Sequence, residues 1–330
     1  MPTEGLEPSS PYGHAHLKRT RLPFRHVGQR VNCSGCSHRV DLATIRTVPK
    51  RDPSSVWISV DMEGIGGVAA YSHVMMSGVE YERARTWMTK EVNAAIEGAA
   101  SNGAARFCVN DSHGTMHNLH PDEVDPRAEL LAGTAKPWFM GQGIDGGYDT
   151  CFFIGYHGRA GHPRAVLDHT YASRAIYECK LNGEPVGETT LNVYLAGYFD
   201  ATVTLVSGDG ATCREARALV PSCVTVKTKD ATGRFSAKML HPQRVQELLQ
   251  VGAAKAMEVA RDAKALKPKA RNEIELAFLT SAMADMAELI PGTRRSGPRS
   301  VAYASRDYLE LYKALLAMVR IAPSAVPPEQ

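Results

Sequence analysis

Asp61, Glu63, His113 and His157 carry side chains that bind divalent metals, and each follows a short apolar run. VWISV precedes Asp61 and Glu63, RFCVN precedes Asp111 and His113, CFFIGY precedes His157, and a fourth run, TVTLVS, leads to Asp209. Imidazole combined with carboxylate suits a transition metal such as zinc better than the all-oxygen shell of magnesium or calcium. Short apolar runs rich in Val, Ile and Phe read as buried strands of a parallel sheet when helical stretches separate them. Ligands of open α/β sheets sit just outside the carboxyl ends of the strands. The four residues are therefore expected to converge at one sheet edge and hold a metal, although 96 positions separate Asp61 from His157.

Taken singly, each motif has a plainer reading. In Asp61-Met62-Glu63-Gly64 the strand period of two puts both carboxylates on one face, and Gly64, Gly66 and Gly67 permit a tight turn; a DxEG turn can equally cap the next segment. In Asn110-Asp111-Ser112-His113-Gly114, Asp111 can accept loop N–H groups, or Asp111 or Asn110 can orient the imidazole of His113. By spacing alone Glu188 is a helix-start glutamate and His169, in Leu167-Asp168-His169-Thr170, a structural histidine.

The elements that must position these groups alternate regularly. Residues 79–100 place Trp87, Met88, Val92, Ala95, Ile96 and Ala99 at helical intervals, with Asn102-Gly103 as a stop. Further helices are expected from Glu188 toward Gly197 and from Thr212 to Leu219. The last third reads as strands at 224–228, 272–279 and 300–305 and helices at 242–262, 281–289 and 306–319. The expected fold is α/β: a doubly wound, mostly parallel sheet domain over residues 55–221, then a smaller α/β domain over 222–330 that completes the cleft or an oligomer interface.

Residues 1–54 carry a net charge of +5 and leave −2 on the remainder of a 330-residue chain whose total is +3. That near-neutral body offers no basic stripe for nucleic acid. The arm lacks helical or strand period and reads as a disordered extension. Within it Cys33-x-x-Cys36 and His38 have the spacing of a zinc knuckle, with His26 as a conceivable fourth ligand, but the second pair is not at a familiar separation. Seven cysteines without a framework spacing point to a reducing compartment, and no apolar run approaches the roughly 20 residues that span a bilayer. A cytoplasmic protein follows as the expectation.

SVDMEGIGG, YERAR, VNDSHG, KPWFMGQGID, FIGYHGRA, DHT and PVGETTLNVYLAGYFD, in this order, resemble the D-aminopeptidase family of dinuclear zinc peptidases over about residues 56–320. The resemblance implies two zinc ions per chain. It assigns Asp61 as the carboxylate bridging both, Glu63 and His157 to one zinc, His113 and Glu188 to the other, and His169 as a catalytic histidine outside the metal shell. It further implies hydrolysis of short D-amino-acid peptides from the free N-terminus by a zinc-bound hydroxide, and a homo-oligomer, a ring-like decamer in the family. Two other classes remain: another dinuclear hydrolase, an amidase or phosphoesterase, and a metal-stabilised binding protein without catalysis.

Because residues 1–54 show no core-forming pattern, a chain beginning at Ser55 should keep its melting temperature within a few degrees and retain activity. Calorimetry and a peptidase assay on the shortened chain check this, and failure to fold or assemble would make the arm part of the domain.

Overall fold

The computed structural model describes residues 53–325, so the Cys33, Cys36 and His38 motif lies outside the described residues. The chain runs β1 (Ser55–Val60), α1 (Tyr71–Val74), α2 (Tyr81–Ala100), β2 (Arg106–Asp111), β3 (Ala128–Leu131), β4 (Thr150–Tyr156), β5 (Ile176–Leu181), β6 (Glu184–Pro185), α3 (Glu188–Tyr198) and β7 (Thr202–Asp209). It continues through α4 (Gly210–Leu219), β8 (Val224–Gly233), β9 (Ser236–Met239), α5 (Pro242–Ala260), β10 (Asn272–Phe278), α6 (Ser281–Glu288), β11 (Arg294–Gly297), β12 (Ser300–Ser305) and α7 (Tyr308–Ile321).

The first sheet has the order β3-β2-β1-β4-β7-β8-β9 and is parallel except for the edge strand β9. Its central strands β1, β2, β4 and β7 are buried on both faces. Val56, Ile58, Phe152 and Ile154 pack with α2 and α5 on one side, while Trp57, Phe153 and Val206 point to the other, toward α3 and α7. That double burial explains why these strands are continuous apolar runs rather than alternating ones. Strand order reverses about β1, which pairs with β2 on one side and β4 on the other. Such a switch point leaves a crevice at the carboxyl ends, where Asp61, Glu63, His113 and His157 follow β1, β2 and β4 in sequence.

A second, antiparallel sheet has the order β11-β12-β10-β5-β6. Its members come from two separated stretches, and the expected division at residues 221 and 222 does not separate the sheets. Strand β5 precedes that boundary yet pairs with β10, whereas β8, β9 and α5 follow it yet complete the first sheet's layers. Ile274, Leu276 and Phe278 of β10 share one core with Trp57 and Phe153 of the first sheet. The described residues accordingly make one compact unit.

Two close approaches fix the loop after β1. A Cβ on Gly64 would lie 2.0 Å from the Tyr156 carbonyl oxygen, and one on Gly155, whose φ is +71°, would lie 2.2 Å from that of Asp61. Side-chain-free backbone at these points lets the ends of β1 and β4 touch, with Gly64 N–H donating to the Gly155 carbonyl at 2.7 Å. The loop itself is held from β8. Between Gly208 and Asp209 the β7–β8 register skips Thr228, so Lys229 turns inward. Its ammonium is 1% exposed as a residue and donates to the carbonyls of Glu63 at 2.6 Å, Ile65 at 2.7 Å and Val68. All three of its protons are used.

Lys229→Met keeps most of the stem but strands three buried carbonyls, and each buried acceptor left unsatisfied costs about 1–3 kcal/mol. The substitution should therefore lower unfolding free energy by at least ~2 kcal/mol in urea titrations; an unchanged midpoint would remove Lys229 from the loop's support.

Candidate metal centre

Asp61, Glu63, His157 and Glu188 are 2–4% exposed and face one another. Asp61 leaves β1 with its N–H on the Ile154 carbonyl, and its two carboxylate oxygens diverge. Oδ1 lies 3.2 Å from His113 Nδ1, and Oδ2 lies 3.4 Å from His157 Nε2. Glu63 Oε2 stands 3.0 Å from His113 Nδ1, and Glu188 Oε2 stands 3.7 Å from His157 Nε2. Glu188 opens α3 and its other oxygen accepts the Tyr171 N–H at 2.6 Å.

Each imidazole is oriented through its second nitrogen. His113 Nε2–H donates to the Val74 carbonyl at 2.9 Å, His157 Nδ1–H to the Gly158 carbonyl at 2.9 Å, and His169 Nδ1–H to the Leu167 carbonyl at 2.9 Å. Ring nitrogens of metal ligands are fixed in this way. The carbonyl of α1 takes the role that sequence reading offered to Asp111 or Asn110. Asp111 instead accepts the Leu119 N–H at 2.8 Å and the Asn118 amide at 2.7 Å, which ties down its own loop. Asn110 is bound by Lys136 Nζ at 2.6 Å, and that ammonium also donates to the Asp111 and Leu131 carbonyls. Asp209 likewise serves structure: it caps α4 at the Thr212 N–H and accepts the Val166 N–H.

His157 Nε2 is the telling atom. It is buried without a hydrogen-bond partner, yet two carboxylates flank it. An unprotonated Nε2 there presents a lone pair to the same point as Asp61 and Glu188, the geometry that a cation fills. Asp61, Glu63 and His157 offer donor atoms within 4.8 Å of one another, as do His157, His169 and Glu188. The donor set therefore fits zinc. Apart from Asp61, which meets both imidazoles, the contacts pair His113 with Glu63 and His157 with Glu188, whereas the resemblance pairs Glu63 with His157 and His113 with Glu188.

Charge explains the protonation of the metal-free protein. Burial, reinforced by the neighbouring Glu63, pushes the Asp61 carboxyl up. Burial opposes the charged forms of Glu63 and His113 too, but their mutual attraction outweighs it, holding Glu63 well below and His113 well above the usual range. Against the same burial, Glu188 and Asp61 raise His157 to about 9. His169, stacked on His157 at 4.2 Å with an 11° interplanar angle, is lowered by burial and then by that neighbour's charge.

A cavity of about 440 Å³ opens beside these groups, lined by Asp61, Glu63, His113, His169 and Glu188 on one side and by apolar side chains on the other. Beneath it runs an unbroken relay of side-chain hydrogen bonds. Tyr171 Oη meets Tyr312 Oη at 2.8 Å, Tyr312 donates to Asn192 at 2.9 Å, and Asn192 donates to Tyr156 at 3.1 Å. Tyr156 meets Ser59 at 2.7 Å, Ser59 meets Ser112 at 2.7 Å, and Asn110 donates to Ser112 at 3.1 Å. No spacing signal announces these residues, because their partners come from six separate segments.

Fold and site together define an α/β metallohydrolase with its donors at a sheet switch point. A family model described as D-aminopeptidase matches residues 55–317, and the chain belongs to that family. A D-aminopeptidase from Bacillus subtilis (strain 168) is 37% identical over 270 residues, covering 81% of this chain and 97% of the relative. The solved structure of the Zn-dependent D-aminopeptidase DppA from Bacillus subtilis, called a self-compartmentalizing protease, superposes with a TM-score of 0.78 at 36% identity, covering 82% of this chain and 98% of that one.

The raised pKa values of His113 and His157 give the metal-free protein a definite pH dependence. A histidine whose folded pKa exceeds its ordinary value of 6.5 contributes stability that is complete below that value and lost as pH rises through the folded pKa. Asp61, also raised, acts in the same direction. From pH 6.5 to about 7, below the range around 8 in which Lys136 and Lys229 lose their protons, the chelated protein should lose thermal stability. Zinc takes the place of those protons, so the zinc-loaded protein should lose less. Paired calorimetric scans decide it, and a chelated protein that is no more pH-sensitive than the loaded one would contradict the assignment.

Proposed function

We propose that this chain is a zinc-dependent aminopeptidase that releases the N-terminal residue of short D-amino-acid peptides. In this reading Asp61, Glu63, His113, His157 and Glu188 hold two zinc ions, with Asp61 bridging, and His169 transfers protons. The observation that carries it is the buried, unpartnered Nε2 of His157 between Asp61 and Glu188, beside a peptide-sized cavity. Membership of the D-aminopeptidase family supports the reaction and the D preference.

When bound, a zinc pair acidifies water toward neutral pH and polarises the scissile carbonyl. The chain's own groups do the rest. Diverging oxygens let Asp61 serve two ions at once, facing His113 through one and His157 through the other. The free amine of a peptide would be taken by the metals that the carboxylates lining the cavity would hold, which would select an exopeptidase substrate without a separate acidic pocket. His169 keeps Nδ1–H on Leu167, so its Nε2 is free to take a proton and return it to the leaving amine. Its lowered pKa keeps the imidazole neutral and basic near pH 7. A phosphoesterase is disfavoured, because no Lys or Arg lines the described cavity to meet a phosphate.

The solved relative's self-compartmentalizing character supports a homo-oligomer, up to the decamer of the family. The five described cysteines are all unpaired and buried, in keeping with a reducing cytoplasm, and no described helix is long and apolar enough to cross a membrane.

Elemental analysis should find about two zinc ions per chain, and Asp61→Ala should lose both. His113→Ala and His157→Ala should lose metal and activity together. His169→Ala should retain zinc while kcat on D-Ala-D-Ala falls by about 10² to 10⁴, the usual worth of acid-base catalysis. Zinc loss in His169→Ala, or undiminished turnover with zinc intact, would overturn its role; full activity of the wild type with one metal or none would sink the dinuclear reading.

A further inference from the structure

Six described residues other than glycine have positive φ. Asn182 and Asp200 are of the types that tolerate it. The other four are bulky: Met116 at +60°, Phe139 at +50°, Leu167 at +52° and Tyr171 at +59°. All four line the cavity beside the metal centre. Strained backbone of this kind persists only where its surroundings over-determine it, and it gathers at ligand sites.

Each of the four is indeed pinned. Met116 N–H donates to the His113 carbonyl at 2.7 Å, and Leu167 N–H to the Arg234 carbonyl at 2.7 Å. The Phe139 ring meets Tyr171 edge-on at 6.2 Å and carries the Arg320 guanidinium 4.0 Å from its centre. Tyr171 is held at both ends, by Glu188 at its N–H and by Tyr312 at its hydroxyl. At Tyr171 the left-handed conformation closes a tight turn in which the Ala172 N–H donates to the Thr170 carbonyl at 2.7 Å, and the turn carries a bulky ring where glycine would fit more easily. What the four achieve in common is an apolar surface aimed at the site.

The chemistry of that surface sets what it accepts. Met116 and Leu167 are 1–2% exposed, as is Met140 beside them, so they form a dry floor. Among the described residues, the ionisable side chains lining the cavity are tyrosines, the carboxylates of Asp61, Glu63 and Glu188, and the imidazoles of His113 and His169. An acidic substrate side chain would lose its hydration against the apolar floor with no Lys or Arg lining the cavity to receive it. An apolar side chain would exchange water for methionine, leucine and aromatic carbon.

We propose that Met116, Phe139, Leu167 and Tyr171 form the specificity wall of the site, selecting peptides with an uncharged apolar side chain beside the scissile bond and rejecting acidic ones. The assignment rests on the aminopeptidase reading and deepens it. Tyr171 joins the two functions, since the backbone that presents its ring to substrate also donates to the metal-centre carboxylate Glu188.

The zinc-loaded protein is assayed on two peptide series, D-Xaa-D-Ala and D-Ala-D-Xaa, with Xaa as Ala, Leu, Met or Glu. In at least one series kcat/KM for Leu should exceed that for Glu by at least about 10²-fold, since a single methylene in an apolar pocket is already worth about 10- to 200-fold. Met116→Ala and Phe139→Ala, checked for zinc content and melting temperature, should each cut the Leu-to-Ala ratio in that series by about 10-fold. Calorimetric binding of free D-leucine and D-glutamate supplies a readout independent of turnover. Tighter D-leucine without any peptide cleavage would keep the wall and overturn the reaction. Cleavage of D-Ala-D-Ala with Glu peptides as good as Leu in both series, or equal binding of the two amino acids, would overturn the wall and leave the reaction standing.

Discussion

Three carboxylates out of water within a few ångströms of one another are the constraint from which the rest of this structure follows. Asp61, Glu63 and Glu188 are nearly inaccessible, and like charges so placed repel strongly in a medium of low polarisability. Positive charge must be brought to them. In the metal-free protein His113 and His157 supply it as imidazolium, which is why their protons are held so firmly. Zinc would supply it more completely, and the same imidazoles would then turn from counter-ions into ligands. A site of this kind is unstable when empty and settled when filled, so metal and fold are thermodynamically linked.

The scaffold answers the constraint by immobilising backbone rather than adding charges at the donors themselves. Two buried ammonium groups do this in parallel. Lys229 gathers the carbonyls of the loop after β1, and Lys136 ties the Asp111 carbonyl and the Asn110 side-chain amide at the end of β2 to the Leu131 carbonyl of β3. Each cation spends its donors on neutral oxygens at or beside a strand end that leads to a candidate ligand. The strand ends thereby become rigid without a neutralising side chain competing with the metal for the carboxylates.

What was legible in the sequence follows from this division. Asp61, Glu63, His113 and His157 were readable because strand ends are written as apolar runs, and chain order maps onto a sheet edge. Glu188 and His169 were not readable by spacing, since one begins a helix and the other sits in irregular chain; only the family pattern marked them. Lys229 was hidden by a bulge that breaks the period of β8, and Val74 acts through its carbonyl, to which no side-chain pattern refers. The helices and strands after residue 221 were recognisable one by one, but their allocation to two sheets was not. Sheet membership depends on pairing across long separations, as when β5 leaves the first layer to join β10, and local sequence carries little trace of it.

The relay of hydroxyls and amides beneath the cavity passes through Tyr312, within the last α-helix of the described chain. During synthesis the five candidate metal donors and His169 leave the ribosome well before that helix. A nascent chain that has reached residue 300 therefore holds every reactive group but lacks the hydroxyl that fixes Tyr171, the residue whose N–H steadies Glu188. The alignment of Tyr171, and through it of Glu188, thus depends on α7. A chain cut before that helix would carry the candidate donors without this support.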